Sequence, residues 1–346
     1  MEMFWFWTVA VVMALYAMLD GFDFGAGILH LFVAKTDAER RQVLAAIGPW
    51  WDGNEVWLLA GGGTLFLAFP KVLAAGFSGF YLAMFLVIWC LILRGISIEF
   101  RSHLGDGLWR AFWDGMFALA SAAMPVLLGA ALGNVVRGVP LDGSGFFNIP
   151  LFTHWDVTNP VGILDWYTVL MGVFVLAALS CHGALYLAWK TDGPVRDRSR
   201  AAALRLWVAT VALALAATVA TARVNPDIYA RLPHAPLAWL GLALYAGGLL
   251  AAITGLRTGR DLLAFAGSSA FILGILAATA ACLFPVMLRS TLDPAWSLTA
   301  YNASAGPYAL KAGMRWWLAA FPLALGYFAW LGWVHRGKVE AGDYGH

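Results

Sequence analysis

Apolar residues in this chain fall in long runs broken by short polar segments. A helix that crosses a bilayer needs about 20 mostly apolar residues. Nine such runs are legible, at roughly 4–33, 56–74, 77–97, 113–136, 162–189, 203–223, 237–256, 262–288 and 313–335. Only Pro70 and Lys71 separate the second from the third, which predicts a tight helical hairpin. The pattern predicts an all-α membrane protein, a single polytopic domain over 1–346, with two four-helix bundles plus one extra helix. The first run lacks a basic leader and a small-residue cleavage site, so it reads as a first span rather than a removed signal.

The polar segments orient the spans. Lysine and arginine in short loops stay on the cytoplasmic side. Fifteen of the 22 basic residues lie in or beside the loops that follow spans 1, 3, 5, 7 and 9, and seven lie on the other side. This places the N-terminus outside (periplasmic) and the C-terminus in the cytoplasm. The two longest outer loops, 137–161 and 289–312, are rich in Pro, Gly, Asn and Thr, and each is too short for a domain of its own.

Composition agrees. The chain is 61% apolar and 12% charged, with mean hydropathy +0.74, against about 45–50% and about 25% in soluble domains. Its 18 Trp and 22 Phe suit lipid-facing and interfacial belts. A net charge of +2 without basic runs gives no reason to expect nucleic acid. Cys90, Cys181 and Cys282 each sit in an apolar run and read as small hydrophobes. No Cys-x-x-Cys-His occurs, which excludes covalent haem attachment by that motif.

Ionisable groups at membrane depth are costly and therefore carry the functional signal. Asp20 and Asp23, in Leu19-Asp20-Gly21-Phe22-Asp23, share a helix face at i, i+3. Asp20 lies about 24 Å along the helix from Phe4, deep in the inner half of the bilayer. Two carboxylates that close resist simultaneous ionisation, which suits a proton relay. The alternative is a structural pair held by neighbouring helices or by an arginine distant in sequence. Gly21 and Gly25 form a small stripe that lets another helix approach. Asp52 and Glu55, in Trp50-Trp51-Asp52-Gly53-Asn54-Glu55-Val56-Trp57, repeat the i, i+3 spacing at the start of span 2. They read as a capping box, with a proton-handling role compatible with it. Glu99, near Arg94 and Arg101, reads as part of an ion-pair network, or else as a subunit contact or proton entrance. Of the seven histidines only His30 and His182 lie well within spans, and neither has the facing partner that a haem or metal bundle uses. Both read as hydrogen-bonded interior residues.

These residues also carry a resemblance. Leu19-Asp20-Gly21-Phe22-Asp23, Ile47-Gly48-Pro49-Trp50-Trp51-Asp52-Gly53-Asn54-Glu55-Val56-Trp57, Gly61-Gly62-Gly63-Thr64, Phe77-Ser78-Gly79-Phe80-Tyr81 and Leu93-Arg94-Gly95 resemble subunit II of cytochrome bd quinol oxidases. Phe284-Pro285 and Ser290-Thr291-Leu292 continue the likeness, which covers nearly the whole chain. Tyr301-Asn302-Ala303-Ser304 is similar to the cyanide-insensitive branch, whereas Arg289 departs from the family's usual small residue or proline.

The resemblance implies a heterodimer in the bacterial cytoplasmic membrane that oxidises quinol and reduces O₂ to water. Haem b, haem d and the quinol-oxidising loop would belong to subunit I, and this chain would ligate no cofactor or metal. Its implied roles are to scaffold subunit I and to line a route for cytoplasmic protons, in which Asp52 matches the family's proton-path aspartate. Glu55, Asp20, Asp23 and Glu99 are our additions to that route; Trp51, Gly53, Asn54, Trp57, Arg94 and Arg101 are motif residues with structural roles. A structural quinone or lipid and small single-helix accessory subunits are compatible partners. The rival reading is a secondary transporter, which also places carboxylates and glycines in broken helices. Copurification with a larger haem-bearing chain separates the two.

Overall fold

The computed structural model describes residues 1–339; His346 and the end of the predicted domain lie outside the described residues. The chain folds into α1 (Glu2–Val33), α2 (Asp37–Ile47), α3 (Trp51–Ala68), α4 (Pro70–Gly79), α5 (Tyr81–Phe100), α6 (Gly107–Arg137), α7 (Trp166–Lys190), α8 (Gly193–Val224), α9 (Asp227–Arg231), α10 (Pro236–Thr258), α11 (Asp261–Leu283) and α12 (Pro307–Val334). A short antiparallel pair, β1 (Val286–Leu288) and β2 (Leu298–Thr299), precedes α12.

Among the described residues, eight helices are long and apolar enough to cross a membrane: α1, α5, α6, α7, α8, α10, α11 and α12. The second predicted span divides differently. Its 18-residue helix α3 starts earlier, at Trp51, so Asp52, Asn54 and Glu55 lower its hydropathy. The chain then breaks at Phe69, and Pro70, which lacks the amide a continuing helix needs, opens the separate ten-residue α4. The sharp turn expected at Pro70-Lys71 is thus spread over a whole short helix.

The helices sort into two groups joined where α7 packs on α6 and α1. One group holds α1, α3, α5 and α6; the other holds α7, α8, α10 and α11. In the second group α10 and α11 pack backbone to backbone. A methyl added at Gly241 would meet Ala278 N at 2.6 Å, and one at Gly248 would overlap the α11 backbone at Phe271 and Gly267. The small-residue stripe on α1 meets α7 in the same way, since a methyl at Gly25 would overlap Leu179 O and the Gly183 backbone. Small residues let such helices approach until their backbones touch, where dispersion is strongest.

Helix α12 stands apart, with its main contact on α3 and most of its surface exposed. Its inner end is fastened instead. Lys190 Nζ donates to Gly337 O at 2.9 Å and also to His335 O. Gln42 Nε2 donates to Val339 O at 2.8 Å, and Val339 N to Lys190 O at 2.8 Å. Lys338 pairs with Asp192 at 2.6 Å.

The outer loops, read from sequence as too short to fold alone, pack on one another. Val139, Leu141, Phe147, Ile149, Ile163 and Leu298 share a small apolar cluster with Ala75 of α4. Beneath it Arg137, buried at the end of α6, bonds Asp165 and donates through Nη2 to Asn134 Oδ1 at 2.6 Å. Asp165 also caps α7 through the amides of Tyr167 and Thr168 at 2.9 and 2.8 Å. Arg289, the departure noted above, reaches Asp227 at 3.5 Å.

Because the α1–α7 contact is backbone on backbone, Gly25→Val is expected to destabilise the protein by about 3 kcal/mol or more. Gly247→Ala, where nothing lies within 4 Å of the added carbon, is the matched control. Thermal unfolding of the purified protein in mild detergent checks both.

Candidate functional site

One face of α1 carries the polar residues of its inner half, and α3 and α5 close over them. Arg94, fully buried on α5, donates through Nη1 to Asp20 Oδ1 at 2.6 Å and through Nη2 to Glu55 Oε1 at 2.6 Å. Its guanidinium also lies 4.3 Å from the ring centre of Phe24. One cation therefore ties α1, α3 and α5. Asn54, also fully buried, donates from Nδ2 to Asp23 Oδ2 at 2.7 Å and to Leu19 O at 3.1 Å. Asp23 is thus held by a neutral amide, while Asp20 and Glu55 share the charge of Arg94. Asp20 and Asp23 are at most 1% exposed, whereas the Glu55 side chain is 24% exposed. Asp20 Oδ2, Asp23 Oδ1, Tyr16 Oη and Asn54 Oδ1 are buried without a protein partner.

The pairing of Asp20 with an arginine distant in sequence is the structural alternative that the sequence left open. Two other readings change. Asp52 does not cap α3: Trp50 occupies the cap position with no side-chain bond, because the helix starts at Trp51, two residues earlier than a cap at Asp52 requires. Glu55, the other half of the expected capping box, is drawn inward to Arg94. Asp52 instead joins Val56, Leu59 and Phe66 on the exposed strip of α3. Glu99 is exposed and makes no ion pair among the described residues, since Arg94 and Arg101 both turn inward from their helix while Glu99 points out.

The aromatic residues of the same motif have a separate use. Trp57 packs edge-on against Phe321 and tilted against Phe328 of α12, at 6.1 and 5.5 Å. A methyl at Gly53 would touch Phe328, and one at Gly95 would touch Trp51. The motif therefore presents amide and acid to α1 and α5, and rings to α12 and α5.

A second charged cluster closes the inner end. Asp114 of α6, 1% exposed, accepts from Arg101 Nε at 2.6 Å and Arg40 Nη1 at 2.9 Å, and His30 Nε2 lies 2.6 Å from it. Asp37 of α2 takes Arg101, Arg41 and Arg110 at 2.8, 2.6 and 3.2 Å. Glu39 completes a capping box with Thr36 and accepts Arg198 of α8 at 2.7 Å. The Arg198 hydrogen bonds hold the Glu39 carboxyl down at about 2, against a usual 4.5. Sequence reasoning singled out Arg101 and missed Asp114 and Asp37. The available signal for Asp114 was an acid standing at the start of a predicted span.

No group of three or more His, Cys, Asp or Glu that could hold a metal occurs among the described residues. The two histidines at membrane depth are both engaged: His30 with Asp114, and His182 with Ser268 at 2.7 Å and Met18 O at 3.0 Å, stacked on Phe265. His182 uses both ring nitrogens in these contacts, whereas His30 keeps Nδ1 without a partner.

The profile of the family described as cytochrome bd terminal oxidase subunit II matches residues 1–335. The chain belongs to this subunit II family. It is 33% identical over 338 residues to cytochrome bd ubiquinol oxidase subunit 2 of Bacillus subtilis, covering 97% of this chain and 96% of the relative. It is 31% identical over 367 residues to cytochrome bd-I ubiquinol oxidase subunit 2 of Escherichia coli K12, covering 98% and 95%. The solved bd oxidase structure from Geobacillus thermodenitrificans shares its fold, with a TM-score of 0.75 at 17% identity over 97% of this chain and 99% of that one. As a subunit II, the chain is a multi-pass protein of the bacterial cytoplasmic membrane and part of a quinol-oxidising oxidoreductase whose complex contains haem.

Two tests follow from this geometry. Arg94→Leu leaves Asp20 and Glu55 without their cation and is expected to cost about 3–5 kcal/mol. Adding Asp20→Asn and Glu55→Gln should restore most of it, read from thermal midpoints of the purified complex. The Glu39–Arg198 bond stabilises the fold above the usual glutamate value near 4.5, and that contribution is lost as pH falls toward about 2. Glu39→Gln should lower stability at neutral pH by about 1 kcal/mol and flatten its dependence in that window.

Proposed function

We propose that this subunit II is haem-free, scaffolds the haem-bearing subunit I, and passes cytoplasmic protons toward the oxygen-reducing site through Asp52, Glu55, Asp20 and Asp23. The observation that carries the proton reading is a charge imbalance. Three carboxylates, Asp20, Asp23 and Glu55, surround one guanidinium. With every carboxylate ionised, this buried group would hold two uncompensated negative charges, which is costly at membrane depth. Holding protons removes the cost, and exchanging them makes the group a relay. Asp23, which has no cation bonded to it and takes only the neutral amide of Asn54, is the group assigned to hold the proton. Glu55, partly exposed on α3, is where the network meets the outward strip, and Asp52 lies one turn away on that strip. Glu99, exposed at the inner end of α5, is assigned to collecting protons at the cytoplasmic surface.

The scaffold reading is supported by the same strip. The surfaces of α3, α5 and α12 expose Leu59, Phe66, Trp89, Trp316 and Trp330, an apolar surface suited to a large partner chain as well as to lipid. The haem-free reading is supported by the hydrogen bonds that occupy His30 and His182. A groove between α1 and α12, lined by Trp7, Val11, Trp317 and Phe321, suits the isoprenoid tail of a structural quinone or a lipid chain.

Asp23→Asn and Glu55→Gln, made singly in the assembled oxidase, are expected to slow quinol-driven O₂ consumption by about tenfold or more with haem spectrum and subunit ratio unchanged. Asp52→Asn should do the same. Wild-type turnover in all three would remove this chain from proton conduction. Loss of assembly in Asp52→Asn would instead assign that residue to the subunit contact.

A further inference from the structure

The acid network continues along α1 in a direction that neither the motif nor the relay above uses. Positions 16, 20, 23, 27 and 30 alternate steps of four and three, so they line one face of the helix. Tyr16, Asp20 and Asp23 belong to the network already described, and His30 to the inner-end cluster about 10 Å further along. Gly27 lies between them, and Ser121 of α6 fills that position: a methyl on Gly27 would overlap Ser121 Oγ.

Ser121, like Thr210 of α8, is an exception among the hydroxyls at membrane depth. Thr64, Ser97, Ser180 and Thr279 each donate to the carbonyl four residues back, at 2.7, 2.5, 2.6 and 2.8 Å. That bond satisfies a helical hydroxyl locally. Ser121 does not make it; fully buried and without a partner, its hydroxyl lies against the α1 backbone. His30 has a matching feature. Asp114 already accepts from two arginines and is ionised, so His30 donates to it from Nε2. His30 Nδ1 is then the acceptor nitrogen, fully buried and without a partner. Asp23 Oδ1, on the other side of Gly27, is in the same condition.

We propose that His30 and Ser121 form a second proton inlet, running along the α1–α6 seam from the inner-end charge cluster to Asp23. It rests on the reading of Asp23 as a relay group and supplies that group independently of Glu55. A solvent proton bound at His30 Nδ1 makes an imidazolium whose charge Asp114 balances. Through a bridging water the ring gives that proton toward Ser121 Oγ, and through another the hydroxyl releases its own toward Asp23 Oδ1; each bridging oxygen gains one O–H as it loses one, so overall one N–H breaks at His30 and one O–H forms at Asp23. Asp114 orients the ring and stays ionised, held by Arg101 and Arg40. The charged groups facing His30 are Asp114 of α6, Arg101 of α5 and Arg40 of α2. The seam meets solvent at Arg40 and Asp37, whose side chains are 28% and 36% exposed.

The test uses the assembled oxidase with quinol and O₂. His30→Gln keeps an amide donor for Asp114 but cannot carry a proton, and Ser121→Ala removes only the hydroxyl. Made in the Glu55→Gln background, where the second inlet carries the remaining flux, both are expected to keep the haem spectrum and to lower that remaining turnover roughly tenfold. The deficit should widen from about pH 6 to about pH 9, as solvent protons become scarce, and added imidazole should partly restore His30→Gln. Turnover equal to that of Glu55→Gln alone at every pH in both, or a deficit that does not vary with pH, overturns the inlet while Asp23→Asn is still slow. If Asp23→Asn is itself as fast as wild type, the relay reading beneath it fails instead. Should His30→Gln not assemble, Ser121→Ala decides alone.

Discussion

A guanidinium buried among three helices governs this structure. Arg94 can be buried only if carboxylates come with it, because an uncompensated charge at membrane depth costs several kcal/mol. Asp20 and Glu55 supply them from α1 and α3, and the geometry of those two bonds fixes how α1, α3 and α5 meet. Asn54 then secures α3 to the next turn of α1 through Asp23 and Leu19 O. The same set of groups is therefore a fastening and a store of negative charge. A structure made of the first function is what gives the second its place, since carboxylates recruited to bury a cation are already held in line.

The protein repeats that logic at both ends of the bilayer with different strictness. At the inner end Asp114 is surrounded by Arg101, Arg40 and His30, and Asp37 by three arginines, so cations outnumber acids there. At the outer end Arg137 and Asp165 pair one to one, with Asn134 and the α7 amides filling the remaining positions. Among the clusters of the described residues, only that around Arg94 has more acids than cations. The middle cluster is consequently the one where the proposed relay is placed.

Most of the architecture was legible in the sequence because a bilayer imposes a single strong rule: runs of apolar length become helices. The rule blurs where polar function intrudes. α3 carries Asp52, Asn54 and Glu55 in its first turns, which both shifted its apparent start to Val56 and concealed the break at Phe69. Pro70 was recognised as a turn but not as the first residue of α4. Within the site, Asp20, Asp23, Asn54 and Glu55 were visible as misplaced polar residues, and the Gly21–Gly25 stripe as a helix contact. Their partners were not, since Arg94 is 74 residues from Asp20 and 39 from Glu55, and local spacing says nothing about pairs that far apart. Glu99 illustrates the converse. Sequence proximity to Arg94 and Arg101 suggested pairing, but both arginines face the interior, and Glu99 does not.

The fastening of the segment after α12 bears on the order in which the chain is built. Helix α12 offers little flank to its neighbours, yet Val339, Gly337 and His335 dock on Lys190 and Gln42, which come from the corner after α7 and from α2. That dock exists only once α2 and the corner after α7, up to Asp192, have folded. Helix α12, made later than both, therefore finds its berth already built, and until it closes the ring of Trp57 stands uncovered.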